Sequence, residues 1–430
     1  MAAWIPFRGI RFDTGKAGAA SLLLAPPYDV IDEGQRAALC SRSPYNIVRL
    51  IRADPSNGYA EAAKRVAEWR ATGVLRSDEV PAFYVYEQAF RLGERDFQRT
   101  GVVGLVALDA SGRNVMPHER TLSGPRSDRL NLLSATRMTF GQVFALYTDR
   151  ERAADRVCER AKAEAPLAEA ANVDGMGHRL WAVTAPEETR LLREALASRR
   201  LLIADGHHRY ATALNFMRRH PELPGARWRM VTLVNTESAG LLVLPIHRVV
   251  KRLTGYSENR LLENMQEDFE IVCLPAGPAG RRAAIQRMHG ERAEGRHAFG
   301  MLTGDGLYRL AILRERGRSA ADSASPVQRL DVTILHRLIL EKQLGIDAAR
   351  LESGDNLEFV RDLEDDAAEA AVRVEKGECQ AAFFVNAVRI DEIEAVAAAG
   401  ERMPQKTTYF YPKVYTGFVM HDLTGPVDYY

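Results

Sequence analysis

The sequence predicts a mixed α/β protein built as two domains. Three observations lead there: 430 residues exceed what one hydrophobic core usually organises, strand-like and helix-like stretches alternate, and the pattern restarts beyond residue 250. The expected division is 1–250 and 251–430.

Residues 1–50 are rich in turn formers, and Ala25 to Ile31 starts extended because Pro26 and Pro27 bias the residues before them away from helix. Ser43 to Asn46 follows the same rule. Ala, Val and Trp at helical spacing predict a helix over 58–72. Ala82–Phe90 and Thr100–Leu108 read as strands joined by a hairpin at Gly93. A stretch rich in Ala, Glu and Arg predicts a helix over 149–170, and a second helix runs from Pro186 to Ser198. The apolar run Leu201 to Ala204 is a buried strand, and Arg229–Asn235 and Leu241–Leu244 are two more. In the second half, strands are expected at Phe269–Leu274, His297–Leu302, Gly306–Leu313 and Ala381–Val385. Helices are expected up to His289, over Leu330–Gln343 and over Asp391–Ala399, with an exposed loop at Gly317–Ser325.

The formal net charge of +1 gives no overall attraction for nucleic acid or anionic membrane. Four cysteines, none in a CxxC pair, argue against a disulfide framework or a thiolate zinc site. No segment has the length and apolarity of a membrane span, and the first ten residues lack the apolar core of a signal sequence. A soluble, cytoplasmic protein is expected.

Chemistry concentrates where the Leu201 strand passes through Asp205-Gly206 into a helix that buries Tyr210, Leu214 and Met217 on one face. Residues 205–209 then occupy a helix N-terminus, whose exposed N–H groups favour an anion. His207, His208 and Arg209 place positive or potentially positive groups in the first turn, where the helix dipole opposes them. A bound phosphate reverses that penalty. Adjacent histidines project about 100° apart, which suits one contacting phosphate and the other orienting it better than a shared metal. The alternative for Asp205 and Gly206 alone is plain capping and turning.

Two further segments carry the residue types that phosphoryl transfer needs. In Met116 to Thr121, His118 and Glu119 stand beside Arg120 and ahead of Arg126 and Arg129, offering a carboxylate for the attacking hydroxyl and cations for phosphoryl oxygens. A salt-bridged surface loop explains the same residues. Leu122 excludes an HExxH zinc motif. The stretch Met403 to Lys413 reads either as an edge strand or as a source of phosphate ligands, with Lys406 and Thr408 the candidates. Asp29 and Asn46 are either turn caps or pocket-lining residues. No Walker loop and no GxGxxG after a strand is present.

Taken together, Pro27 to Ile31, Pro44 to Asn46, His118 to Thr121, Asp128 to Leu130, Asp205 to Tyr210, Leu244 to Arg248 and Met403 to Lys413 resemble the bacterial domain-of-unknown-function family numbered 1015, which is associated with serine biosynthesis. The Asp-Gly-His-His-Arg string is also similar to the phosphate-binding motif of free serine kinases with a ParB/sulfiredoxin-like fold. That resemblance implies a ParB/sulfiredoxin-like core elaborated with a second α/β domain. It also implies a catalytic glutamate upstream, matched here by Glu119, although more residues separate the two segments in this chain.

The expected function is therefore phosphoryl transfer between ATP or ADP and a small hydroxyl metabolite, free serine first among them, with Mg²⁺. Glu119, Asp205 and His208 are the catalytic candidates, and Asp205 also the metal ligand. Gly206, His207, His208, Arg209, Arg129 and Lys406 would hold the phosphates, and Asp29, Asn46, His118 and Thr408 the acceptor. Two alternatives stand beside it: a phosphatase acting on phosphoserine or a similar monoester, and a nucleotide-binding switch without turnover. A homodimer is left open.

Overall fold

The computed structural model describes residues 3–53, 58–119, 123–197, 199–315, 325–363, 367–404, 406–425 and 427. The chain divides into two compact units, the first comprising Met1–Leu242 with Pro412–Tyr430 and the second Val243–Tyr411. The last segment thus returns to the first unit.

Unit 1 is organised by a nine-stranded mixed sheet. Its strands are β1 (Trp4–Ile5), β2 (Phe83–Leu92), β3 (Arg95–Ala107), β4 (Val115–Met116), β5 (Val143–Tyr147), β6 (Ala168–Val173), β7 (Met176–Val183), β8 (Leu201–Asp205) and β9 (Trp228–Asn235). They lie in the order β4-β8-β5-β9-β3-β2-β7-β6, with β1 paired to β3. β4 runs parallel to β8 and β5 parallel to β9; the other pairs are antiparallel. β9 is buried along its whole length between β5 and β3, which is why it reads as an almost unbroken apolar run.

The core under this sheet gathers Phe83, Val102, Val143, Trp181, Leu192, Ile203 and Val231. Trp4 stacks on Phe83 with ring centroids 5.1 Å apart. Gly104 makes that stack fit, since a Cβ there would lie 2.7 Å from Phe83. A second apolar cluster, containing Ile10, Leu23, Ile47, Leu50 and Trp69, packs α1 (Gly58–Ala71) against the helical segments before it.

Helices α2 (Ser123–Thr136), α3 (Ala153–Lys162), α4 (Pro186–Ala197) and α5 (His207–Arg219) complete unit 1. The helix expected over 149–170 stops at Lys162, because Pro166 has no N–H to continue it. Asp174 and Gly175, both at positive φ (52° and 80°), then turn β6 back into β7. On α5 the fully buried residues are His207, Arg209, Tyr210, Thr212, Ala213 and Phe216, with Leu214 and Met217 only half-buried. The expected face is displaced because the helix is covered on two sides. Tyr210 joins the sheet core, and Phe216 meets Leu130 and Leu133 of α2.

Unit 2 carries a six-stranded antiparallel sheet of β10 (Ile246–Val250), β11 (Phe269–Ala276), β12 (Ala298–Thr303), β13 (Leu307–Leu313), β14 (Leu357–Arg361) and β15 (Ala381–Phe384), in the order β11-β13-β12-β15-β10-β14. Helices α6 (Gly277–Ala293) and α7 (Ala368–Glu375) supply Ala284, Ile285, Met288, Ala370 and Val374 to its core, with Tyr308 and Phe384 from the strands. The helix expected over 330–343 forms as Asp331–Leu335 followed by a π-helical turn at His336–Glu341. All of the loop expected at 317–325 except Ser325 lies outside the described residues.

Candidate functional site

Strand β8 carries Asp205 to its end, held between β4 and β5, with a register shift on the β5 side just before it. Gly206 follows at φ 92°, in the left-handed region, and its carbonyl accepts from Tyr210 N at 2.9 Å to open α5. A Cβ on Gly206 would sit 3.0 Å from Arg209 Nε. Glycine therefore both permits the turn and lets the Arg209 side chain fold back over it.

Arg209 uses that room to reach Asp205. Its Nη2 lies 2.5 Å from Asp205 Oδ2, its Nη1 donates to the Gln142 carbonyl, and Lys413 Nζ donates to Asp205 Oδ1. Burial acts to raise the Asp205 pKa, but the charges of Lys413 and Arg209 outweigh it and hold the carboxyl well below its usual range. Asp205, expected as a metal ligand, thus spends both oxygens on cations. A divalent ion there would have to displace an ammonium and a guanidinium, so Asp205 does not fit a resident Mg²⁺. Among the described residues no group of three or more His, Cys, Asp or Glu side chains is arranged to hold a metal.

Beside this turn, unit 1 opens a small cavity of about 60 Å³. Pro27, Tyr28, Ile51, Leu132, Leu133, Met138 and Phe140 form its apolar wall, Arg129, Arg209 and Arg229 bring three guanidinium groups, and Thr139, Thr212 and Thr416 bring hydroxyls. Arg229 is 4% exposed. Its Nη2 donates to Gly141 O at 2.6 Å, whereas its Nε–H, fully buried, has no acceptor among the described residues; the Thr139 hydroxyl is likewise buried and unpartnered. Burial, reinforced by the charge of Arg209, pulls Arg229 down to about 9. Buried donors are ordinarily paired, because an unmade bond costs about 1–3 kcal/mol.

The third guanidinium is placed by packing. Arg129 lies 4.0 Å above the Tyr28 ring, donates to Ile51 O at 2.8 Å and to Asp128 at 2.7 Å, and Asp128 also accepts from the Tyr59 hydroxyl. Burial raises the Tyr28 pKa, so the phenol stays protonated. Behind the turn, Arg99 is buried in unit 1, donating to Gln88 and to Pro412 O, its guanidinium 4.7 Å from the Phe144 ring. Burial lowers it to about 10.

The imidazoles take other parts than the sequence suggested. His207 is buried, its Nε2 accepts from His118 N at 3.3 Å, and the two rings meet edge to face at 4.5 Å. Burial holds His207 well below its ordinary value, so it is neutral and braces the turn with His118. His208 is half-buried, its Nδ1 buried and without a partner among the described residues, its pKa lowered by burial, and it is near enough to Asp29 to feel its charge. The cationic character of the turn comes instead from Arg209, Lys413 and Arg229.

Of the other candidates, Asp29 is exposed on the Tyr28–Val30 turn and Glu119 is half-buried just past β4. Asn46 is wholly occupied by backbone: its amide donates to Leu22 O and Leu24 O and its carbonyl accepts from Val48 N, fixing the loop that leads to Pro27. Lys406 and Thr408 belong to unit 2, where the Lys406 ammonium lies 5.3 Å from the Phe359 ring. Sequence reading passed over Arg229, Lys413, Tyr28 and Thr139. Arg229 had a signal, a charge inside an otherwise apolar strand.

Fold and site define a mixed α/β protein with an arginine-lined cavity at a strand-to-helix turn. The chain belongs to the family described as protein of unknown function (DUF1015), whose model matches residues 4–333. No curated protein matches it. Solved structures similar to it include a free serine kinase in complex with AMP, at 15% identity and TM-score 0.37, covering 74% of this chain and 90% of that one. A mutant of free serine kinase in complex with ADP matches at 15% identity and TM-score 0.36, covering 74% and 91%. SbnI with C-terminal truncation from Staphylococcus aureus matches at 13% and 0.35, covering 73% and 84%. No helix among the described residues is long and apolar enough to cross a membrane.

Proposed function

We propose that the unit 1 cavity binds the phosphates of a nucleotide and supports phosphoryl transfer to a small hydroxyl metabolite, with free serine as the leading acceptor. The observation that carries this reading is the buried Arg229 guanidinium, which lines the same cavity as Arg209 and Arg129 and has, at its Nε–H, no acceptor among the described residues. An anionic oxygen would offset the charge of Arg229, which has no ion-pair partner among the described residues, whereas Arg209 and Arg129 already pair with Asp205 and Asp128.

In this reading Asp205 is a positioning residue. It holds Arg209 and Lys413 in place before a ligand arrives, so little reorganisation is needed when charge builds on the transferring group. His207 and His118 stiffen the turn. His208, lowered by burial and so neutral, is the candidate to relay the hydroxyl proton, and Glu119 the candidate base, although neither lines the cavity in this structure. Mg²⁺ would arrive as the counter-ion of the nucleotide, part of the substrate rather than a resident group.

Incubating the purified chain with ATP or ADP, Mg²⁺ and serine, and following phosphorus by NMR and product mass, should reveal phosphoserine. Phosphate release from phosphoserine without nucleotide would instead make it a phosphatase. Silence with both nucleotides across a panel of hydroxyl metabolites would sink the transferase reading.

A further inference from the structure

We propose a second anion site, in unit 2, where Arg248, Arg361 and Lys406 gather around the rings of Phe359 and Tyr409 and take a phosphate-bearing polyanion recognised by charge. It stands independently of the unit 1 reading. Arg248 rises from strand β10 with no exposed surface. Its Nε donates to His336 Nε2 at 3.1 Å, its Nη1 to Ile246 O and its Nη2 to Lys406 O at 3.3 Å. The acceptors are all neutral, and burial alone brings Arg248 down to about 9.

The neighbouring cations extend this charge outward. Arg248 faces Phe359 across the β10–β14 pair and lies 5.1 Å from its ring, while Lys406 Nζ lies 5.3 Å from the same ring. Arg361, two residues on and so on the same face of β14, lies 4.7 Å from the ring of Tyr409. None of the three makes an ion pair among the described residues, and the nearby strand carboxylates are committed elsewhere, one to Arg373 and the other to His247. Lys406 also sits at φ 53°, uncommon for a lysine, with its carbonyl held by Arg248. A buried charge therefore positions an exposed one.

Both rings already carry a cation on a face, so recognition here is by charge rather than by stacking a base. Lys406 and Arg361 are exposed and free to meet phosphate oxygens, while Arg248 contributes its field from behind the ring.

The test is calorimetric titration of the full chain with inorganic pyrophosphate in low salt, in a background of Arg229→Gln that disables the unit 1 cavity. Binding should persist there, weaken about tenfold with R361Q or K406Q, vanish in the double variant, and be retained by K406R. ADP should bind no tighter than pyrophosphate. Loss of all pyrophosphate binding in R229Q alone, or indifference to R361Q and K406Q in chains with unchanged thermal midpoints, would overturn the proposal. A phosphoserine assay that fails while this binding persists would leave the unit 2 site standing, so the two readings fall separately.

Discussion

Two buried arginines on interior strands, Arg229 in unit 1 and Arg248 in unit 2, solve the same problem differently. Among the described residues, Arg229 keeps one buried donor without a partner beside the cavity it lines, whereas Arg248 has its guanidinium engaged by two carbonyls and an imidazole and lacks only a counter-charge. An unmade hydrogen bond asks for an atom in one place. An uncompensated charge asks only for opposite charge nearby. Unit 1 should therefore discriminate ligands by shape and unit 2 by valence.

The largest expected effect concerns the counter-ion of the first cluster. Asp205→Asn strands Lys413 and Arg209 without a carboxylate and should cost roughly 3–5 kcal/mol in urea unfolding. A variant as stable as the parent would show that Asp205 does not compensate them. Next, Arg229→Met should lower transfer turnover about 10²–10³-fold while leaving the thermal midpoint level or raised, since an apolar isostere relieves a buried charge. Unchanged turnover would erase the contrast between the two arginines.

Acid should separate the units as well. His178 and His421 in unit 1 are lowered by burial to about 4, and His207 well below its ordinary value; in unit 2 His336 is lowered to about 3. A histidine kept neutral by the fold contributes stability that is complete above its unfolded value of about 6.5 and is lost as pH falls toward the folded value. At about pH 5 that is on the order of 2 kcal/mol for each of His178 and His421. Asp205, lowered, adds a loss in the same direction only below about pH 4. Hydrogen exchange on acidification should show unit 1 opening before unit 2; the reverse order would contradict this assignment of neutral imidazoles. The smallest effect is the response to salt: pyrophosphate binding at Lys406 and Arg361 should fade as the screening length drops from about 30 Å to about 3 Å, while ligand binding at Arg229 changes less.

The turn at Asp205 was legible because strand, glycine and helix follow one another locally, and local geometry is what sequence patterns encode. Which cations it recruits was not. Lys413 and Lys406 stand in one short stretch with similar neighbours, yet the first reaches Asp205 in unit 1 and the second lies on Phe359 in unit 2, a choice made by where the chain crosses between units. Four strands of each sheet were visible from apolar runs or alternation, β2, β3, β8 and β9 in unit 1 and β11, β12, β13 and β15 in unit 2, while the short or mixed-composition strands were not. Strand β6 was not, since its alanines and glutamate favour helix in isolation and only the Asp174-Gly175 turn and pairing with β7 override them. His207 looked cationic on paper because burial, which neutralises it, depends on residues far along the chain.

Lys413 follows the whole of unit 2 in the sequence while pairing with a carboxylate translated some two hundred positions earlier. During synthesis on the ribosome, Asp205 and Arg209 must wait for it. A nascent chain halted anywhere within unit 2 would hold the β8 turn short of one positive charge, so the carboxylate of Asp205 would meet its second cation only after all of unit 2 had been made.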